Sequence, residues 1–180
     1  MADAAPIALV VMGVSSSGKS TIAEKLADRL GWQFEDGDSF HPASNVAKMS
    51  AGQPLTDEDR WPWLHAIADA IDKVADSGGR VVVACSALKR TYRDVLVHGR
   101  DDVRIVYLDG SRELIAERMA KRKNHFMPSG LLDSQFATLE VPGTDEKPIT
   151  VSIDASADEI VDSIVAQLPA GMSSAPRKNS

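Results

Sequence analysis

Two kinds of hydrophobic spacing alternate along the chain. Residues 7–12 form an unbroken apolar run, the pattern of a strand buried on both faces of a parallel sheet. After a Gly/Ser stretch, Ile22, Leu26 and Leu30 recur at helical spacing and Gly31 supplies a stop. A short strand is predicted over 32–35, followed by an irregular polar stretch over 40–55 with a short helix at 42–49. Thr56 and the acids Asp57, Glu58 and Asp59 predict a capped helix start. Leu64, Ile67, Ile71 and Val74 mark its buried face, which ends near Gly78 and Gly79. The spacing then predicts a strand over 80–85, a helix over 86–97, a strand over 103–108 and a helix over 111–121. A basic break over 122–127 follows, then a helix over 128–139 and a last strand over 149–153. Ser156 and Glu159 have capping-box spacing, ahead of a final helix through Ile160, Ile164 and Leu168. Strands alternating with helices predict an α/β fold, a parallel sheet covered on both faces.

The 180 residues suffice for one domain, predicted over 1–168, and the small polar residues of 169–180 predict a disordered tail. With 26 acids against 20 bases the formal net charge is −6, which argues against a nucleic-acid partner. Cys85 is the only cysteine, so neither an internal disulfide nor a cysteine-based metal site can form. The apolar run over 7–14 is too short to span a membrane and lacks a cationic start. A cytoplasmic protein without a membrane partner is expected.

The loop after the first strand reads Gly13-Val14-Ser15-Ser16-Ser17-Gly18-Lys19-Ser20, which satisfies G-x-x-x-x-G-K-[ST]. Glycines let successive main-chain N–H groups turn toward phosphate oxygens, and the following helix adds its positive end. The candidate nucleotide ligands are Gly13, Ser15, Ser16, Ser17, Gly18, Lys19, Ser20 and Thr21. Lys19 is expected to reach the β- and γ-phosphates of ATP, and Ser20 to ligate Mg²⁺.

Asp36-Gly37-Asp38 follows the second strand, where open α/β sheets bind ligands. Asp36 is a candidate for the metal, and Asp38 for accepting the proton of a substrate hydroxyl; a plain Asp-Gly turn is the alternative. Lys48, Arg60, Lys89, Arg90 and Arg93 fall near strand ends on an acidic protein, which suggests an anionic acceptor, although each alone fits a solvated surface charge. His41 lies three residues past Asp38 and is a candidate acceptor contact, whereas His65, within a helix, reads as structural. A second basic cluster spans 118–123. Its arginines, Arg118 and Arg122, are placed to spread charge on a transferring phosphoryl group beneath a closing flap, or to neutralise a helix end.

These motifs sit among longer blocks. They include His41-Pro42, Gly52-Gln53-Pro54-Leu55, Pro62-Trp63-Leu64 and Cys85-Ser86-Ala87-Leu88-Lys89-Arg90 with Tyr92-Arg93-Asp94. Arg122-Lys123 with His125-Phe126, Ser134-Gln135-Phe136, and Pro142-Gly143 with Asp145-Glu146 continue them. With these blocks the chain resembles the small bacterial-type gluconokinases from residue 10 to 153. The resemblance implies a P-loop NTPase fold like that of the nucleoside monophosphate kinases. Its parts would be a five-stranded parallel sheet, a substrate-binding insertion at about 40–76 and a lid at about 122–134. It implies ATP-dependent phosphorylation of D-gluconate to 6-phosphogluconate, feeding the pentose phosphate route, and a homodimer. Ser86 and His125 join the acceptor candidates on the same ground. Ser16 departs from the family, which usually has glycine there. Two other readings stay open: a kinase of another small anionic polyol such as shikimate, and a nucleotide-binding module that transfers nothing.

Overall fold

The computed structural model describes residues 5–14, 17–121 and 129–169. Five parallel strands form one sheet: β1 (Ala8–Met12), β2 (Gln33–Asp36), β3 (Val81–Ala84), β4 (Val103–Asp109) and β5 (Ile149–Ser152), in the order β2-β3-β1-β4-β5. The helices are α1 (Lys19–Leu30), α2 (Ala43–Ser50), α3 (Asp57–Asp76), α4 (Arg90–Val97), α5 (Arg112–Lys121), α6 (Ser129–Thr138) and α7 (Ala157–Ala166).

Every residue of β1 and β3 is buried, as continuous apolar runs require when helices cover both sides. The pleat divides β1 between two cores. Leu9 and Val11 pack with α1, α5 and α7 through Leu26, Ile115 and Ile164. Ala8, Val10 and Met12 pack with α3 and α4 through Leu64, Ile67 and Leu96. Two exposed ion pairs, Lys25–Asp158 at 3.4 Å and Arg29–Asp162 at 2.6 Å, also bridge α1 and α7. Such surface pairs contribute about 0–1 kcal/mol, against roughly 1.5–3 kcal/mol for each buried leucine or isoleucine. Apolar contact therefore docks these helices.

The expected caps are present. Thr56 and Asp59 exchange bonds at the start of α3, and Ser156 and Glu159 do so at the start of α7. Gly31 ends α1 at φ 71°. One expectation fails: residues 86–89 are not helical, and α4 begins only at Arg90. Ala87 holds φ 45°, which cannot continue a right-handed helix. Residues 122–128 of the lid expected at 122–134, and residues 170–180 of the tail expected at 169–180, lie outside the described residues.

Candidate active site

The phosphate loop leaves β1 at the carboxyl edge of the sheet. A Cβ on Gly13 would stand 2.7 Å from Ser17 Oγ and 3.3 Å from the Leu108 carbonyl oxygen, so only glycine lets the chain pass. Gly18 caps α1 at φ 92°, a conformation glycine adopts without cost. No acidic residue occupies the first turn of α1, leaving the helix's positive end available to an anion. Ser17 is buried, and its hydroxyl has no hydrogen-bond partner. Lys19 Nζ reaches back 3.1 Å to the Val14 carbonyl. Ser20 and Thr21 are exposed at the helix start, while Ser15 and Ser16 lie outside the described residues.

Asp36 closes β2, and Asp38 sits in the tight turn that follows. Asp36 Oδ1 accepts the Asp38 N–H at 3.0 Å, and the Ser39 hydroxyl donates to the Asp36 carbonyl at 2.7 Å. Gly37 is buried against β3, where a Cβ would come 2.5 Å from the Ala84 carbonyl oxygen. The Trp63 indole of α3 donates to the Gly37 carbonyl at 2.7 Å, pinning the turn from its other side. Cys85, at the end of β3, joins the two loops electrostatically. Burial pushes its thiol up to about 12, Lys19 opposes that shift, and Asp38 and Asp36 add to it. The phosphate-loop lysine and both carboxylates thus act on one buried atom.

A shelf of paired charges extends from this point. His41 stacks on Trp63 with ring centroids 4.1 Å apart, and its Nδ1 lies 3.2 Å from Asn45 Nδ2. Asn45 is buried and also donates to the Asp59 carbonyl at 2.8 Å. Burial holds the His41 pKa below its usual value; Asp38 raises it and Arg60 lowers it further. Lys48 pairs with Asp59 at 2.7 Å, and its bond, with that of Thr56, lowers the Asp59 carboxyl to about 2. Arg60 donates to the Leu55 carbonyl at 2.7 Å and lies over the Tyr92 ring, 5.5 Å from its centroid. Lys89 lies 5.6 Å from the same centroid and pairs with Asp57 at 3.3 Å. The Tyr92 hydroxyl donates to Asp57 at 2.5 Å, and with Lys89 it holds that carboxyl below its ordinary range. Ser86 is half-buried in the loop after β3.

Arg90 and Arg93 are both paired with carboxylates of residues 145 and 146. Arg90 forks onto Asp145. Arg93 is 1% exposed, with Nε and Nη2 on Glu146 at 2.7 and 3.2 Å, and Nη1 on the Ala87 and Leu88 carbonyls at 3.0 and 3.1 Å. Four of its N–H groups are thereby committed, so the cation read as facing an anionic ligand is a buried brace. Burial works to raise the Glu146 carboxyl, but the Arg93 fork and the Gly143 N–H outweigh it and hold the group low. Arg118 donates to the Ile153 carbonyl, just past the carboxyl end of β5. Arg122 and His125 lie outside the described residues.

Sequence reading overlooked Asp57, Asn45, Trp63, Tyr92 and Glu146. Asp57 was legible as a helix-start acid and as a member of a longer block, and Asn45, Trp63, Tyr92 and Glu146 only as members of such blocks.

Fold and loops together make this a P-loop kinase of a small molecule. Over 165 residues the chain is 48% identical to the gluconokinase of Gluconobacter oxydans, covering 92% of itself and 93% of that relative, and it belongs to the gluconokinase family. The crystal structure of a gluconokinase from Sinorhizobium meliloti superposes with a TM-score of 0.82 at 47% identity, over 89% of this chain and 90% of that one. The family model for shikimate kinase matches residues 15–169. A solved shikimate kinase from Acinetobacter baumannii, in complex with shikimate, reaches a TM-score of 0.55 at 18% identity over 91% of this chain and 92% of that one, a likeness of fold alone.

Proposed function

We infer that this protein transfers the γ-phosphoryl group of ATP to a hydroxyl of D-gluconate, giving 6-phosphogluconate and ADP. The observation that carries the reading is the packing of the acid turn on the end of β3, where a Cβ on Gly37 would stand 3.2 Å from Cys85 Cβ, next to β1, the strand that leads into the phosphate loop. A phosphate grip and a proton acceptor meet there, at the edge of a cationic shelf.

The loop suits a triphosphate. Its main-chain N–H groups, the Lys19 ammonium and the start of α1 supply positive potential, and the unpartnered Ser17 hydroxyl is a spare polar group at its base. Mg²⁺, when bound, neutralises charge between the phosphates. Among the described residues no cluster of three or more metal-ligating side chains occurs. The Ser20 hydroxyl, with Asp36 acting through water, suits an ion that takes its remaining ligands from phosphates and solvent.

Asp38 accepts a hydrogen bond from the attacking hydroxyl and takes its proton as the new O–P bond forms and the β–γ bridge breaks. Lys19, Arg118 and Arg122 spread the charge of the loose transition state. Lys48, Arg60 and Lys89, with His41, Ser86 and His125, recognise the sugar acid. Asp57 and Asp59 keep the cations of α2, α3 and the loop after β3 in place between turnovers. Residues 40–76 form the acceptor half of a single domain, and 122–134 its lid. The protein acts in the cytoplasm, and as a homodimer, which light scattering at the mass of two chains tests. Among the described residues no helix is long and apolar enough to cross a membrane.

The shikimate kinase match favours a second acceptor, shikimate. Purified protein incubated with ATP, Mg²⁺ and either acid separates the two. ADP release that depends on gluconate supports the first reading. Release with shikimate alone supports the second, and release with neither would sink kinase activity on sugar acids.

A further inference from the structure

The block Pro142-Gly143 with Asp145-Glu146 has no part in the mechanism above, yet together with Glu140 it bonds to the loop after β3 and to the first turn of α4. That loop, residues 86–89, runs from Cys85, against which the acid turn packs at Gly37, to Lys89 on the cationic shelf. Its shape is unusual. Ala87 is fully buried and left-handed at φ 45°, a conformation that disfavours any residue with a Cβ. Something must hold it.

Residues 140–146 do so through one direct bond to the loop and three contacts with Arg90 and Arg93 at the start of α4. The Glu140 N–H donates to the Leu88 carbonyl at 2.8 Å. Glu140 Oε1 accepts the Arg90 N–H at 2.9 Å, capping a helix whose own N-cap, Lys89, makes no side-chain cap bond. Asp145 takes the Arg90 fork. Glu146, its side chain 10% exposed, pairs with buried Arg93, and Arg93 carries the grip to the Ala87 and Leu88 carbonyls. Glu146 Oε2 also accepts the Gly143 N–H at 2.9 Å, so the segment is folded around the carboxylate it presents.

We propose that residues 140–146 are a clasp that sets the acceptor loop, with Glu146 and Arg93 as positioning residues for the sugar acid rather than contacts to it. The inference rests on the gluconate reading. The clasp's bonds run to Leu88, Arg90 and Arg93, on the acceptor side of the site.

Steady-state kinetics on the full chain test it. Glu146→Gln removes the charge from the clasp and should raise the KM for gluconate about tenfold or more, the effect of losing a charge-assisted bond, while the KM for ATP stays within about twofold. Adding Ala87→Gly should restore most of the gluconate KM, because glycine holds a positive φ without help. A general loss of fold would instead lower the active fraction and leave both KM values as they were. Glu140→Ala changes an exposed side chain and serves if Glu146→Gln does not accumulate. It should raise the gluconate KM about fivefold, the effect of losing a helix cap. An unchanged gluconate KM in both Glu146→Gln and Glu140→Ala, or equal rises for ATP and gluconate, would overturn the clasp. Wild-type protein inactive on gluconate but active on shikimate would overturn the substrate reading instead, and the clasp would then stand or fall on the same KM ratio measured with shikimate.

Discussion

Replacing Gly37 by alanine tests whether the acid turn must lie flush against β3. The new Cβ would stand 2.5 Å from the Ala84 carbonyl oxygen and 3.2 Å from Cys85 Cβ, whereas ordinary contact begins near 3.4 Å. One partner must retreat by about 0.9 Å. The strand is the firmer, since Ala84 pairs with both Val11 and Asp36 and the Cys85 N–H bonds the Val11 carbonyl at 3.1 Å. The turn therefore moves, carrying Asp38 and straining the Trp63 bond. Overpacking of this kind costs about 1–3 kcal/mol of stability, which a folded domain survives. A displacement of roughly 1 Å at a reacting group costs on the order of a hundredfold in turnover. Urea unfolding, ATP affinity and kcat on gluconate should thus show a folded Gly37→Ala protein that binds ATP normally and turns over about a hundredfold more slowly. Gly52→Ala is the control. Gly52 has φ 73° and nothing within 4 Å of a built Cβ, so it should lose about 1 kcal/mol of stability and keep its kcat. A folded Gly37→Ala enzyme with wild-type kcat would refute the claim that the turn's position governs transfer.

Lys19→Ala should lower turnover by roughly three orders of magnitude, the scale of a lost charge clamp and misplaced phosphate; retained turnover would remove Lys19 from the phosphate grip. Asp38→Asn should keep ATP affinity and lose phosphoryl transfer, and unchanged transfer would exclude Asp38 as the proton acceptor. His41 should titrate below 6.5 in an NMR pH series, because burial against Trp63 outweighs the pull of Asp38. The unfolded chain then binds the extra proton first, so this contribution to stability is complete above pH 6.5 and is lost as pH falls toward the folded value. Asp38→Asn should lower the His41 pKa further, and a His41 titrating above 6.5 would contradict the described burial.

Much of the fold was legible because burial writes a periodic signal. The apolar runs of β1 and β3, the Leu26–Leu30 spacing of α1 and the Ser156–Glu159 box each occur where the pattern places them. The phosphate loop and the Asp36–Asp38 pair were legible because their chemistry is local. What the pattern hid depends on partners far along the chain. Arg93 reads as one more surface cation, yet it is buried by Glu146, 53 residues away. The false helix over 86–89 has the same origin, since a left-handed alanine leaves no trace in hydrophobic spacing and is held by carbonyl contacts to Arg93 and Glu140. The Trp63 bond to Gly37, across 26 residues, was hidden in the same way.

β2 is an edge strand of the sheet, and among the described residues it pairs only with β3. Asp36 and Asp38 hang from this margin, while the phosphate loop is rooted in β1, at the centre. Diversification of what is phosphorylated can thus proceed at the periphery. A graft of residues 33–60 from a kinase of different acceptor would exchange a rim and leave the axle of the sheet intact.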